Sequence, residues 1–232
     1  MLVMNKEYFE SPMGTTLYDL LEDDAPSLPQ SEPSLRISRI PTQSFSGFMK
    51  LVRNILIVDV DAERYTQTSL KYSYDDWAKG QIVLRVTSPS PDSVISYTKR
   101  DGEAIMNLFL RHELFLFGEL LSKQYSQQAL EKADSLFGYR VNVPQDIRGS
   151  KIGKDFLWMS NASMRSRHDL LIYTYPYHSD NDISLDAIVA KRDSVLRMNI
   201  SGEFEGSYPC TEQNYGLLYR RVQLGETKAR AE

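Results

Sequence analysis

The chain has 232 residues, 41% hydrophobic and 25% charged, which suits one large globular domain or two small ones and not a disordered segment. Its net charge of −4 lacks the basic balance with which a general nucleic-acid binder displaces phosphate counterions. The single cysteine, Cys210, excludes an intrachain disulfide and a thiolate metal cluster, and the apolar runs are too short for a membrane span.

Leu2 to Met4 reads as a short strand. Ser11-Pro12 then has the cap and first-turn chemistry of a helix entry, with Leu17, Leu20 and Leu21 at helical spacing. Three prolines between Pro26 and Pro33 require an extended loop. Leu35, Ile37 and Arg39 alternate as in a strand, and Thr42 is expected to cap a short helix carrying Phe45, Phe48, Met49 and Val52. Ile55 to Val60 is nearly continuous in β-formers, the pattern of a central buried strand, and strands follow at Gln67–Tyr74 and Gln81–Thr87.

From Asp92 to about Lys132 the sequence is helix-compatible, with a break expected near Asp101-Gly102. Ile105, Leu108, Phe109, His112, Phe115, Leu116 and Leu120 form a wide apolar stripe. Further strands are expected at Tyr139–Val143, Phe156–Met159 and Leu170–Tyr175, then a helix opened by Ser184 that buries Leu185, Ile188, Val189 and Val195. Gly202 to Pro209 reads as a loop and Leu217–Val222 as a last strand. The segment at Gln81 and the one at His168 each run strand, turn, helix and Lys-Arg-Asp, at 99–101 and 191–193. The expected fold is therefore α+β, a mixed or antiparallel sheet with flanking helices, in one domain over 1–232. A duplicated strand–strand–helix unit, with halves 1–135 and 136–232, stays open.

No catalytic constellation stands out. Val58-Asp59-Val60-Asp61 resembles a phosphotransferase Asp-x-Asp strand end, but Ala62-Glu63 replaces the Gly-Thr of such a loop. His112-Glu113 would start a zinc helix only if a histidine stood at Leu116. Phosphate-cradling glycine loops and a nucleophile elbow are absent from the sequence. The expectation is no catalytic residue, no metal and no cofactor. The binding candidates are aromatic: Tyr74 with Trp77, and Tyr175 with Tyr177. Alternating strand aromatics can stack on sugar rings or form an interface, and can equally be cross-strand packing.

The run LPQSEPSLRISRIPTQSF at 28–45, then RNILIVDVD, DDWAKGQIVLRVTSPS, VNVPQDIRGSKIGKDFLWMS, LLIYTYPY, the Lys-Arg-Asp helix and ISGEFEGSYPCTE together resemble the family called domain of unknown function 4837. The resemblance spans nearly the whole chain. It implies an envelope protein of Bacteroidetes, on the periplasmic side or the outer membrane, of a kind commonly made as a lipoprotein. It brings no known activity and no catalytic residue. The family's leader, lipid-attachment cysteine and C-terminal extension are missing here, so Met1–Met4 and the charged end at 227–232 read as the limits of a fragment.

The expected function is accordingly a non-enzymatic envelope domain with a protein or glycan partner, no nucleic acid, and membrane attachment only through a lipid anchor absent from this chain. The rivals are a hydrolase using Asp59, Asp61 and His178, and a structural subunit of an envelope assembly.

Overall fold

Strand β3 (Asn54–Val60) lies at the centre of a five-stranded mixed sheet in the computed structural model, which describes residues 1–28, 30–161, 163, 165–224 and 228–231. Pro29 of the proline loop and part of the charged end at 227–232 lie outside the described residues. The chain divides into two compact units, Met1–Gly118 and Glu119–Glu232, and is α+β.

In the first unit β1 (Leu2–Met4) leads through α1 (Pro12–Leu21) to β2 (Arg39–Pro41), which returns parallel beside β1. β3 pairs parallel with β1 on one side and with β5 (Ile82–Ser88) on the other. β4 (Ser69–Tyr74) pairs antiparallel with β5 and forms the sheet edge. Residues two apart on a strand share a face. Leu2, Met4, Leu56, Val58, Ile82, Leu84 and Val86 therefore meet Met13, Leu17 and Leu21 of α1 and Val94, Ile105 and Phe109 of α2 (Pro91–Lys123) on one side. Val3, Ile55 and Val83 form a smaller core on the other side, where Ile40 and Phe45 cover them. Each fully buried aliphatic side chain contributes about 1.5–3 kcal/mol.

The second unit holds an antiparallel meander of β6 (Gly149–Gly153), β7 (Phe156–Ser160) and β8 (Asp169–Tyr173). Helix α3 (Gln127–Phe137) puts Ala129 and Ala133 into a core with Val143, Ile147, Leu157 and Met159. The Ser126 side chain accepts the Ala129 N–H at its start, and Gly138 closes it in the left-handed conformation at φ 63°. Helix α4 (Leu185–Asn199) is capped by Ser184, whose hydroxyl accepts the Ala187 N–H. A terminal hairpin joins β9 (Arg221–Leu224) and β10 (Lys228–Ala231). Antiparallel pair and then helix recurs as β4–β5–α2 and β7–β8–α4, though only the first lies within a largely parallel sheet.

Several expectations are corrected. Thr42 opens no α-helix: two 3₁₀ turns, Thr42–Ser44 and Gly47–Leu51, stand there, divided by Gly47 at φ 54°, and Phe48 is exposed. Helix α2 runs unbroken through Asp101-Gly102 and stops at Lys123. A Cβ on Gly102 would sit 2.9 Å from a Leu20 methyl, so this glycine serves close approach of α1 and not a break. Phe115 and Leu120 of the expected stripe are exposed, while His112 is buried. Leu185, Ile188 and Val189 are only half-buried; Val195 and Leu196 are the buried positions of α4.

Tyr139–Val143 is irregular; the Val143 carbonyl accepts the Ser126 N–H at 2.9 Å and serves the start of α3. The strand here is instead β6, whose Gly-Ser-Lys-Ile-Gly sequence is held by its pairing with β7. The strand expected from Leu217 begins only at Arg221, as β9, and β10 follows it.

Candidate functional site

Edge strand β4 alternates Leu70, Tyr72 and Tyr74 with Ser69, Lys71 and Ser73. Leu70 packs on the helix-side core, which fixes that face. Tyr72 and Tyr74 follow it by the two-residue period, edge to face with centroids 5.7 Å apart, and more than half of each is exposed. The Tyr74 ring lies 5.4 Å from the ring of His112 on α2, and His112 Nε2 donates to the Gly80 carbonyl at 3.2 Å.

Trp77 takes the opposite face. It meets Phe45 edge-on at 5.5 Å, and Phe45 belongs to the small core of Val3, Ile55 and Val83. Lys50 Nζ lies 5.4 Å from the indole and the Arg85 guanidinium 5.7 Å, distances at which cations are drawn to a ring face. Tyr74 and Trp77 thus flank one sheet edge from its two sides and form no common platform.

The turn between β4 and β5 holds Trp77 in place. Asp75 sits at φ 56° and its Oδ1 accepts the N–H groups of Gly80 at 2.7 Å and Gln81 at 3.2 Å. Gln81 is fully buried: Nε2 donates to the carbonyls of Lys50 and Val52, both at 2.6 Å, and Oε1 accepts the Trp77 N–H at 3.1 Å. Arg85 donates to Ser73 Oγ at 2.8 Å and to the Asp76 carboxylate. That guanidinium holds the Asp76 carboxyl below its ordinary range. Phe45, Lys50, Gln81 and Arg85 were not visible as site residues in the sequence; the tight Asp75–Gly80 turn was the local signal available.

In the second unit Tyr175 stacks on Tyr173 at 6.3 Å, with Lys191 Nζ 5.3 Å from its ring, and its hydroxyl donates to the Asp182 carbonyl at 3.1 Å. Tyr177 is exposed and donates to Asp180 Oδ1 at 2.6 Å. Both hydroxyls therefore brace the loop that enters α4. His178 belongs to the same loop: its N–H donates to Asp182 Oδ2 at 2.6 Å, and that of Ser179 does so at 3.0 Å. These backbone donors hold the Asp182 carboxyl below its ordinary range.

The carboxylates of the hydrolase alternative lie in the first unit. Asp59 accepts the Tyr65 hydroxyl at 2.6 Å and Arg64 at 3.2 Å, and Asp61 Oδ1 accepts the N–H groups of Glu63 at 2.8 Å and Arg64 at 3.1 Å. Both act as strand-end and turn anchors. Hydrogen bonding to Asp59 pushes the Tyr65 hydroxyl up. Among the described residues no three histidine, cysteine or acidic side chains are placed to hold a metal ion, and no helix is long and apolar enough to cross a membrane.

The family model described as Domain of unknown function (DUF8532) matches residues 1–122, and that described as Domain of unknown function (DUF4837) matches residues 126–232. The resemblance read along nearly the whole sequence thus resolves into two families, with DUF4837 holding the second part. No curated protein and no solved structure matches the chain.

Proposed function

We propose that this chain, which belongs to the DUF8532 family over residues 1–122 and carries a DUF4837 match after it, is a non-enzymatic binding module of the bacterial cell envelope. Its partner is a protein or glycan engaged at the β4 edge. The observation that carries the reading is the open edge itself: among the described residues β4 pairs only with β5, and exposed Tyr72 and Tyr74 stand on one side of it and Trp77 on the other. An extended peptide gains backbone hydrogen bonds on such an edge and side-chain contacts from rings on both faces. A sugar ring would stack on the exposed part of the Trp77 indole, beside Lys50 and Arg85. A binding role is further supported by the local bonds that already occupy Asp59, Asp61 and the His178 loop.

The envelope address rests on what resemblance to the DUF4837 family, whose model matches residues 126–232, implies: a Bacteroidetes envelope protein of a kind commonly made as a lipoprotein. Cell fractionation with mass spectrometry of the mature N-terminus tests it; an unmodified protein in the cytosol contradicts it. For the surface, a photo-crosslinking residue at Lys71 is introduced in the native cell, and an oligosaccharide array is probed in parallel. Tyr74→Ala and Trp77→Ala should each lower capture or array binding at least several-fold, with the circular dichroism unchanged. Equal binding by both folded variants removes the β4 edge as the site.

A further inference from the structure

An open cleft of about 450 Å³ lies in the first unit beyond the carboxyl end of β5, which runs parallel to β3. Parallel strands hold ligands at that end, and the volume is that of a small-molecule site. Gln67 and Thr68, just before β4, line one side. Asp92, Ser96 and Arg100, at four-residue spacing on α2, line the other with Tyr97. The cleft therefore precedes the start of β4, whereas Trp77 follows its end.

Part of this lining is held by internal bonds. Ser88 Oγ donates to the Ser90 carbonyl at 3.1 Å, so the 2.7 Å bond between Thr68 and Ser88 is donated by Thr68, whose oxygen is left as an acceptor. Tyr97 packs against the helix-side core, with the Arg100 guanidinium 5.8 Å from its ring. Arg100 gives Nε and Nη2 to Asp101 Oδ2, at 2.7 and 2.6 Å, and keeps Nη1 for another acceptor. The other groups are open. The side chains of Gln67, Asp92 and Ser96 make no hydrogen bond or ion pair with a described residue.

The open set is a carboxylate that only accepts, a guanidinium nitrogen that only donates, and an amide and a hydroxyl that do both. Asp92 is uncompensated and Arg100 is already met by Asp101, so an anion gains little here. A wall of hydrogen-bonding side chains gives a hydrocarbon nothing to bury against. A ring of adjacent hydroxyls, each donating and accepting, meets all four open groups. We propose that this cleft binds one neutral hexose unit. Asp92 accepts from two adjacent hydroxyls, Gln67 and Arg100 Nη1 donate to sugar oxygens, and Ser96 bonds the hydroxyl between them. This site is separate from the aromatic edge and does not rest on it.

Titration of the methyl glycosides of glucose, galactose and mannose into the nitrogen-15-labelled full chain, followed by amide NMR shifts, tests the assignment. At least one should give saturable shifts in the millimolar range at the amides of Gln67, Thr68, Ser93 and Ser96. Asp92→Asn, at an exposed position, keeps the shape and should weaken that sugar about tenfold or more. Ser96→Trp, exposed on α2, fills the cleft and should abolish binding while the amide signals of β3 and β5 stay in place. Trp77→Ala should bind as the wild type does, and glucuronate no more tightly than the neutral sugar. No saturable shift with any of the three glycosides overturns the proposal. So does Asp92→Asn binding as tightly as the wild type, tighter binding of glucuronate, or loss of binding in Trp77→Ala, which would place the sugar at the β4 edge.

Discussion

Gln81 and Thr98 are both buried polar side chains of the first unit, and they illustrate opposite outcomes. Gln81 uses both amide donors and its carbonyl oxygen, joining the start of β5, the turn at Lys50–Val52 and the backbone of Trp77. Thr98, on α2, has a buried hydroxyl with no hydrogen-bond partner among the described residues. A buried hydroxyl without a hydrogen bond is a net cost, and an apolar group of the same shape removes it. Thr98→Val should therefore stabilise the protein by about 1 kcal/mol, read as a higher urea midpoint at unchanged slope. A lower midpoint would mean that the hydroxyl has a partner. Asp76 carries a pH dependence of predictable sign. Its carboxyl is held low in the folded state by Arg85, so its contribution is complete above the ordinary carboxylate value and is lost as pH falls through the depressed folded one. Asp76→Asn should flatten the stability profile below about pH 4 and weaken the Trp77 turn at neutral pH. Thermal melts from pH 2 to 7 check both, and parallel profiles for variant and wild type would contradict the pairing.

Helix α2 shows what one sequence cannot reveal about an element. Its apolar periodicity and a start near Asp92 were legible; the cap was not, and it is Ser90, whose Oγ accepts the Ser93 N–H. Gly102 read as a break because glycine lowers helix propensity; its reason lies across space, in Leu20 of α1. Gly102→Ala gains about 1 kcal/mol of helix propensity but places its Cβ 2.9 Å from a Leu20 methyl, the mobile end of a side chain. The two effects should leave the melting temperature nearly unchanged, whereas Gly102→Leu should cost about 1–3 kcal/mol by overpacking. A clear gain on Gly102→Leu would show that α1 and α2 are not in close contact there. The central strands β3 and β5 were equally legible, since they are buried on both faces and read as continuous apolar runs. Strand β6 was not, because an exposed edge strand is specified by its partner's hydrogen bonds and carries no apolar pattern of its own. The site was legible to the same degree. The exposed rings were visible in sequence, but their distribution over two sheet faces depended on a turn held by Asp75 and Gln81.

The two compact units, Met1–Gly118 and Glu119–Glu232, have nearly the same limits as the two family matches, 1–122 and 126–232. Each unit also has a core of its own: β1, β3 and β5 with α1 and α2 in the first, and β7 with α3 in the second. A unit that buries its own apolar surface can open without the other, which is the physical content of a foldon. Leu157 is fully buried beneath Ala129 and Ala133 of α3, where truncation leaves a cavity. Leu157→Ala should cost about 2–5 kcal/mol, and that loss should fall on the second unit alone. Amide hydrogen exchange on the full chain reads this directly. Protection should drop in β7, β8 and α3 while the amides of β3 and β5 keep their wild-type rates. An equal fall in β3 and β5 would mean that the chain unfolds as one cooperative block, and that the meeting point of the two families is not a stability boundary.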